Sequence, residues 1–443
     1  MTTKDKGGAA AAPPRPAGAS GTFRPDSLVS PYGLVSSVRE LADVAVPGLG
    51  YWLARGGVAR PRSLAYHEEL TGSGQSWGDT EHARLVAVAE SAERYAGRDL
   101  LGEERVWASA DELRGDCLEP ERYPRCSAEE YARPDCRLVP FDPGATIRWT
   151  ETLDLLAGEP VWTPSVLACY GVTESVPAEY FACRISTGFA VHTDPVEAVV
   201  RGLLEIVERD ANALLWLQRL PLPPVAPEAL DAPVRSLVAW CESRFRRVRL
   251  FDATTDLGIP VVYCVVAADH DPRAHRVVGA GAARDLGSAA RKALLEAIGA
   301  TRYVHASGAA PADPALMRAA GDTTRYMGLP EHAPAFGFLL DDDTRPPAPR
   351  RPPLPRDPRE ALAELLRRLA AIGARPVAAD RTPRELADAG LTAVSVVVPD
   401  LQPMSLEPPV QFTAHPRLYR APARMGHRVL SRQELNPWPQ PLG

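Results

Sequence analysis

The sequence of 443 residues is 45% hydrophobic and 24% charged with a formal net charge of −6, the make-up of a soluble globular chain long enough for a sizeable core. A net negative charge without a basic stripe excludes the electrostatic footprint of a nucleic-acid binder, and no apolar run is long enough to span a bilayer. With no signal-peptide core at the N-terminus and seven cysteines scattered without CxxC pairs, the expected setting is cytoplasmic, with reduced thiols.

Residues 1–22 are Ala/Pro/Gly-rich and read as a disordered tail ahead of one domain over 23–443. The stretch "GSGQSWG" (72–78) is glycine-rich enough to approach a phosphate, but alone it reads as a plain loop. A helical period over 79–96 follows, and within it Glu90, Glu93 and Arg94 form an ExxER on an Ala/Val-rich helix. One such motif is ordinarily a solvated salt-bridge face.

The next helix, expected over 194–219, repeats the motif. Asp194 caps it, Pro195 suits its first position, and Glu197 is placed to complete a capping box. Glu197, Arg201, Glu205, Glu208 and Asn212 then recur at helical spacing, a thin polar seam on an otherwise aliphatic cylinder. Buried carboxylates are costly, so this seam requires a metal ion, an arginine or protonation.

Residues 258–269 and 391–400 are β-branched runs that read as buried strands. Between strand and helix, "DHDPRAH" (269–275) reads as a solvated loop, because its histidines fit no helical metal motif. His192 reads as structural, and Cys169 and Cys183 as small apolar packers. A third charged helix (285–305) places Ser288, Lys292 and Glu296 on one face, and Lys292 is the only lysine beyond residue 6. The proline-dense segment 341–358 reads as an exposed linker or insertion, and a helix over 357–372 follows it. The class is mixed α/β, helices layered on sheet.

Four glutamates, Glu90, Glu93, Glu205 and Glu208, with Arg94, Arg209 and Lys292, form a set suited to Mg²⁺ and phosphate, because Mg²⁺ shares hard oxygen ligands between carboxylates and nucleotide phosphates. ATP is the nucleotide expected, although neither GxxxxGK[ST] nor a helix-opening GxGxxG is present.

The stretch "STGFAVHTDPVEAVVRGLLEIVERDANALLW" (186–216), the ExxER at 90–94, "KALLE" (292–296) and the final "NPWPQPLG" resemble the YcaO family. That resemblance implies an ATP site built from helix faces, with Glu90, Glu93, Glu205 and Glu208 as Mg²⁺ ligands. Arg94, Arg209, Ser186, Lys292, Glu296 and Glu197 would be on the nucleotide side. It implies ATP-dependent cyclodehydration of Cys, Ser or Thr in a ribosomally made precursor peptide to an azoline ring. In the azoline-forming branch a PxPxP tail lies near the active site, which here assigns Pro437, Pro439 and Pro441 to positioning the tail and the Gly443 carboxylate to a base role. Alternate prolines also stiffen an extended tail on physical grounds. The expected partners are the precursor peptide and a separate leader-binding or activating protein, with a homodimer as the oligomer.

Four positions depart from the family pattern: Lys292 in place of arginine, Gln75 in place of lysine, Val86 in place of a small or hydroxyl residue, and Gly299 in place of a polar one. The alternative readings are thioamide or amidine formation, and a non-catalytic subunit that binds peptide or partner.

Overall fold

The computed structural model describes residues 24–41, 49–56, 71–98, 105–169, 171–172, 175–314, 317, 320–342 and 344–442; the tail 1–22 and Gly443 lie outside them. The strands are β1 (Val35–Glu40), β2 (Leu49–Gly56), β3 (Gly72–Trp77), β4 (Arg105–Ala108), β5 (Ile147–Asp154), β6 (Pro160–Pro164), β7 (Phe189–His192), β8 (Arg247–Asp252), β9 (Val261–Ala267), β10 (Arg276–Ala282), β11 (Val377–Asp380) and β12 (Thr392–Val397). The helices are α1 (Thr80–Ala96), α2 (Ala128–Tyr131), α3 (Ser165–Ala168), α4 (Pro195–Leu217), α5 (Ala232–Glu242), α6 (Leu286–Ala306), α7 (Ala320–Met327), α8 (Gly337–Leu340), α9 (Pro358–Ala371), α10 (Arg384–Asp388) and α11 (Arg417–Arg424). The four helices and two strands expected from periodicity are all present, shifted by a few residues at their ends. Among the described residues no helix is long and apolar enough to cross a membrane.

Three antiparallel sheets organise the chain: β1-β2-β3, β8-β9-β10, and a six-stranded sheet ordered β4-β5-β11-β12-β7 with β6 paired to β5. The two three-stranded sheets belong to like-built units, each a meander followed by a helix, β3 into α1 and β10 into α6. In both, an Ala-rich helix lies directly on glycines of the last strand. A Cβ on Gly74 would stand 1.8 Å from the Ala83 carbonyl oxygen, and one on Gly279 would stand 2.2 Å from that of Ala293. "GSGQSWG" is therefore a strand, not the loop its composition indicated. Its glycines serve close helix approach, a tertiary demand that overrides strand propensity.

Helix α4 explains its own sequence. It packs against β7 and β12 of the large sheet on one side and against β9 and β10 on the other, with α9 and α11 closing around it. Seventeen of its 23 residues are buried, so an aliphatic cylinder is what the position requires. Asp194 caps it by accepting from the Val196 and Glu197 N–H groups, as expected. Glu197 does not complete the capping box. The Asp194 N–H goes to His192 Nδ1 at 3.0 Å, and the Glu197 carboxylate turns to Arg284 instead.

The proline-rich segment read as an exposed linker is anchored in part. Ala348 and Leu354 are buried, and their N–H groups donate to the Pro224 and Arg284 carbonyls at 2.9 and 2.8 Å. The final segment runs along α4 in the opposite direction. The Asn436 N–H donates to the Leu217 carbonyl at 2.9 Å, Trp216 Nε1 to the Trp438 carbonyl at 2.9 Å and Gln440 Nε2 to the Asn212 carbonyl at 3.2 Å.

On β5, Arg148 forms a buried bidentate pair with Glu179, its Nε and Nη2 donating at 2.8 and 2.6 Å. Burial alone would raise the Glu179 carboxyl, but the side-chain and backbone hydrogen bonds from Arg148 outweigh it and hold it below the usual range. A depressed folded value means the pair contributes fully above the unfolded carboxyl value and is lost as pH falls through the lower folded one. Glu179→Ala is expected to cost about 3–5 kcal/mol in urea unfolding at neutral pH, because it leaves Arg148 buried without its partner. That deficit should shrink as the titration is repeated below about pH 4.

Candidate functional site

Three helices bring their charged seams to one cleft of about 2310 Å³. From α1 come Glu90, Glu93 and Arg94; from α4, Glu197, Arg201, Glu205 and Arg209; from α6, Ser288, Lys292 and Glu296. Ser186, His192, Gln75, Val86 and Gly299 also line it.

Three of these glutamates are held by a backbone N–H of a neighbouring strand or loop. Glu90 Oε2 accepts from the Ser73 N–H at 2.7 Å, Glu205 Oε2 from the Gly188 N–H at 3.1 Å, and Glu296 Oε2 from the Ala280 N–H at 2.6 Å. Ser73 lies between Gly72 and Gly74, and Ala280 between Gly279 and Gly281, so the two like-built units present Glu90 and Glu296 in the same way. The cations interleave with them. Arg94 Nη2 donates to Glu90 Oε1 at 3.0 Å, and Arg209 Nη2 lies 3.6 Å from Glu205 Oε1.

Glu208 stands behind this front. It is 1% exposed, and its Oε2 accepts from the Ala282 N–H and from Lys292 Nζ, both at 2.8 Å. Lys292 thus covers Glu208, and the lone lysine is explained by this buried carboxylate. Glu197 is committed too: Arg284 Nη1 and Nη2 donate to it at 3.1 and 2.5 Å. Arg284 was not legible beforehand, because it precedes the helix cap Asp285 and belongs to no motif.

The electrostatics ask for more positive charge. Burial, with the neighbouring Glu205 and Glu90, pushes the Glu93 carboxyl well up. Burial likewise raises Glu205, against the pull of Arg209 and Lys292, and pushes Glu296, repelled by Glu208, up to about 7. Carboxylates crowded this closely fit a divalent cation, which would relieve their mutual repulsion. Among the described residues no three His, Cys, Asp or Glu side chains form a ready-made metal cage. Arg184 lines the cleft as well, and its Nη1 donates to the Val172 carbonyl at 3.1 Å.

Two of the departures meet here. A Cβ on Gly299 would stand 2.1 Å from Gln75 Nε2, so Gln75 fills the space that the glycine leaves. The pair should therefore behave as a unit: Gly299→Ser is expected to weaken nucleotide binding several-fold in the wild-type background and much less in Gln75→Gly. A double-mutant cycle of ATP titrations reads this coupling.

Of the prolines, Pro439 and Pro441 are buried and Pro437 is exposed; none of the three lines the cleft. The tail nevertheless reaches its wall. Thr324, a cleft residue, donates to the Pro441 carbonyl at 3.1 Å. Away from the cleft, Cys169 is buried in an apolar cluster; the 269–275 loop is solvated only in part, since Asp269 is exposed but Asp271 and Ala274 are buried and Asp271 pairs with His305.

The YcaO cyclodehydratase family, described as ATP- and Mg²⁺-binding, matches residues 74–402. An uncharacterized protein from the tfuA 3′ region of Rhizobium leguminosarum bv. trifolii is 28% identical over 233 residues, 49% of this chain and 52% of that protein, so the chain spans about half of this relative. Among solved structures, a heterocyclase in complex with substrate and cofactor superposes with TM-score 0.80 at 24% identity over 95% of this chain and 57% of its own. YcaO from Methanopyrus kandleri, bound with AMPPCP and Mg²⁺, superposes with TM-score 0.58 at 20% identity over 83% and 86%. The E. coli microcin synthetase McbBCD complex with pro-MccB17 bound gives TM-score 0.60 at 14% identity over 82% and 88%. These likenesses establish the shared fold, and the family match spans most of the chain: it belongs to the YcaO family, whose cofactors are ATP and Mg²⁺.

Proposed function

We propose that the chain is an ATP-dependent cyclodehydratase acting on Cys, Ser or Thr residues of a ribosomally made precursor peptide. The observation that carries this reading is the convergence of the α1, α4 and α6 seams on one cleft in a chain of this family. Glu90, Glu93 and Glu205, joined by Glu296, would hold Mg²⁺, which neutralises phosphate charge when bound. Glu208 would keep Lys292 and Arg209 in place behind them, and would reach the ion itself only if Lys292 moved aside. Arg94, Arg209 and Lys292, with Ser186 and Arg184, would bind and orient the phosphates of ATP.

The side chain of the substrate residue attacks the preceding carbonyl carbon and loses its proton. The oxyanion takes the γ-phosphoryl group of ATP, with the bond to the departing ADP broken, and loss of inorganic phosphate with the amide proton leaves the azoline. The protein's contribution is to align the two substrates and to stabilise transferred charge. The tail packed along α4 to the cleft wall supports the azoline branch. The precursor peptide, and a separate protein that recognises it, are the proposed partners; a peptide-bound multi-subunit relative supports both. The test is incubation with ATP, Mg²⁺ and a Cys/Ser/Thr-rich precursor together with its binding partner. Loss of one water mass per ring is expected, and ATP hydrolysis without any mass loss counts against the reading.

A further inference from the structure

The proline-dense segment belongs to the cleft, and the seam chemistry above makes no use of it. Pro353, Leu354 and Arg356 line the cleft together with Glu197 and Arg284, at the end where α4 and α6 begin. Arg284 is the junction there. Its Nη1 and Nη2 donate to Glu197 at 3.1 and 2.5 Å, its Nε donates to the Pro355 carbonyl at 3.0 Å, and its own carbonyl accepts from the Leu354 N–H at 2.8 Å. One residue between β10 and α6 thus ties the first turn of α4 to residues 353–356.

These residues form a fixed strap. Pro352, Pro353 and Pro355 confine the backbone and have no N–H, so between them Leu354 supplies the only donor, and Arg284 takes it. Just beyond, Asp357 caps α9 by accepting from the Arg359 and Glu360 N–H groups at 2.9 and 3.1 Å. The strap therefore offers the cleft an apolar wall with little freedom left to lose. Beside it stands an acceptor. Burial alone would raise the Glu197 carboxyl, but the Arg284 hydrogen bonds outweigh it and hold it below the usual range. Of its roughly four acceptor directions, Arg284 and Arg201 take three, and its side chain is 10% exposed, within reach of a ligand.

Glu205 follows Glu197 by two turns of α4, about 12 Å along the helix axis, so a group at Glu197 lies the length of a triphosphate chain from the crowded carboxylates. An apolar wall beside a charged acceptor matches a nucleoside, whose flat base rests on the one and whose ribose hydroxyls donate to the other. At the far end of the seam Gln75 already fills the space beside Gly299. We propose that Arg284 is a positioning residue for the nucleoside half of ATP, holding the strap as a wall for the base and Glu197 as the acceptor for the ribose. The proposal rests on the reading of the seam as the magnesium-phosphate site.

The test uses the full chain and two probes, ATP and inorganic tripolyphosphate, each titrated calorimetrically with Mg²⁺. Tripolyphosphate carries the phosphate chain without the nucleoside. Arg284→Gln should weaken ATP about tenfold, as expected when a charged acceptor is displaced, and leave tripolyphosphate affinity unchanged. Arg284→Lys should recover only part of the ATP affinity, because an ammonium cannot hold the carboxylate and the Pro355 carbonyl with a planar fork. Pro353→Gly, which leaves the ion pair in place, should also weaken ATP several-fold and spare tripolyphosphate. Tripolyphosphate binding on the same sample reports the folded fraction, so unfolding cannot mimic this pattern. Equal losses for both probes in Arg284→Gln, or unchanged ATP affinity in that variant, would overturn the positioning role. Magnesium-dependent tripolyphosphate binding by the wild type with no tighter binding of ATP overturns the nucleoside end and leaves the seam reading, whereas no magnesium-dependent binding of either probe removes both.

Discussion

Glu205→Gln is expected to weaken magnesium-dependent ATP binding roughly 100-fold, about 2.8 kcal/mol, while leaving the magnesium-free protein as stable as the wild type or more so. Glutamine keeps the acceptor for the Gly188 N–H and the side-chain volume. It removes a charge that burial and Glu208 disfavour and that Arg209 and Lys292 only partly support. If the carboxylate served only to hold Arg209, the substitution would lower Tm and leave magnesium dependence unchanged. Calorimetric titration alongside thermal melts in chelator distinguishes these outcomes, because a site built for a cation is destabilising until the cation arrives.

The opposite behaviour is expected from another carboxylate on the same helix. Asp210 is 0% exposed and held by Arg417, whose Nη2 donates to its Oδ2 at 2.7 Å; Arg417 also reaches Asp256 Oδ2 through Nη1 at 2.9 Å. Arg417→Leu leaves Asp210 in the interior without its cation and Asp256 with Arg424 alone, at 3.5 Å, and should cost about 3–5 kcal/mol in urea unfolding. Arg417→Lys should recover only part of this, because an ammonium cannot serve Asp210 and Asp256 with a planar fork. Magnesium-ATP affinity of the folded fraction should change little in either variant. Helix α4 thus carries one acid tied into α11 by Arg417 and another that lines the cleft.

The helix seams were legible because α4 must be apolar nearly all round, sandwiched between two sheets, so that any charge it keeps stands out in the periodicity. Glu205 was found that way, Glu90 and Glu93 by the repeated ExxER on α1, and Glu296 by the charged face of α6. The depth of each residue was not legible. Helical spacing places Glu208 on the same stripe as Glu205, but only the approach of β10 and α6 buries it under Lys292. Glu197 fitted a capping box by spacing, yet Arg284, distant in sequence, took its carboxylate. The strand at 72–77 was missed because its glycines answer to the backbone of α1, which local propensity cannot register. The contact between Gln75 and Gly299 likewise exists only once β3 meets α6, and what looked like two separate departures is one packing arrangement.

The central claim, that three helix faces form a magnesium-nucleotide site, is tested most directly by titrating ATP into the wild-type protein with Mg²⁺ and again in chelator. The account predicts saturable binding at one site per chain that requires the cation. Equal binding in chelator, or none in either buffer even with the peptide-binding partner present, would contradict it.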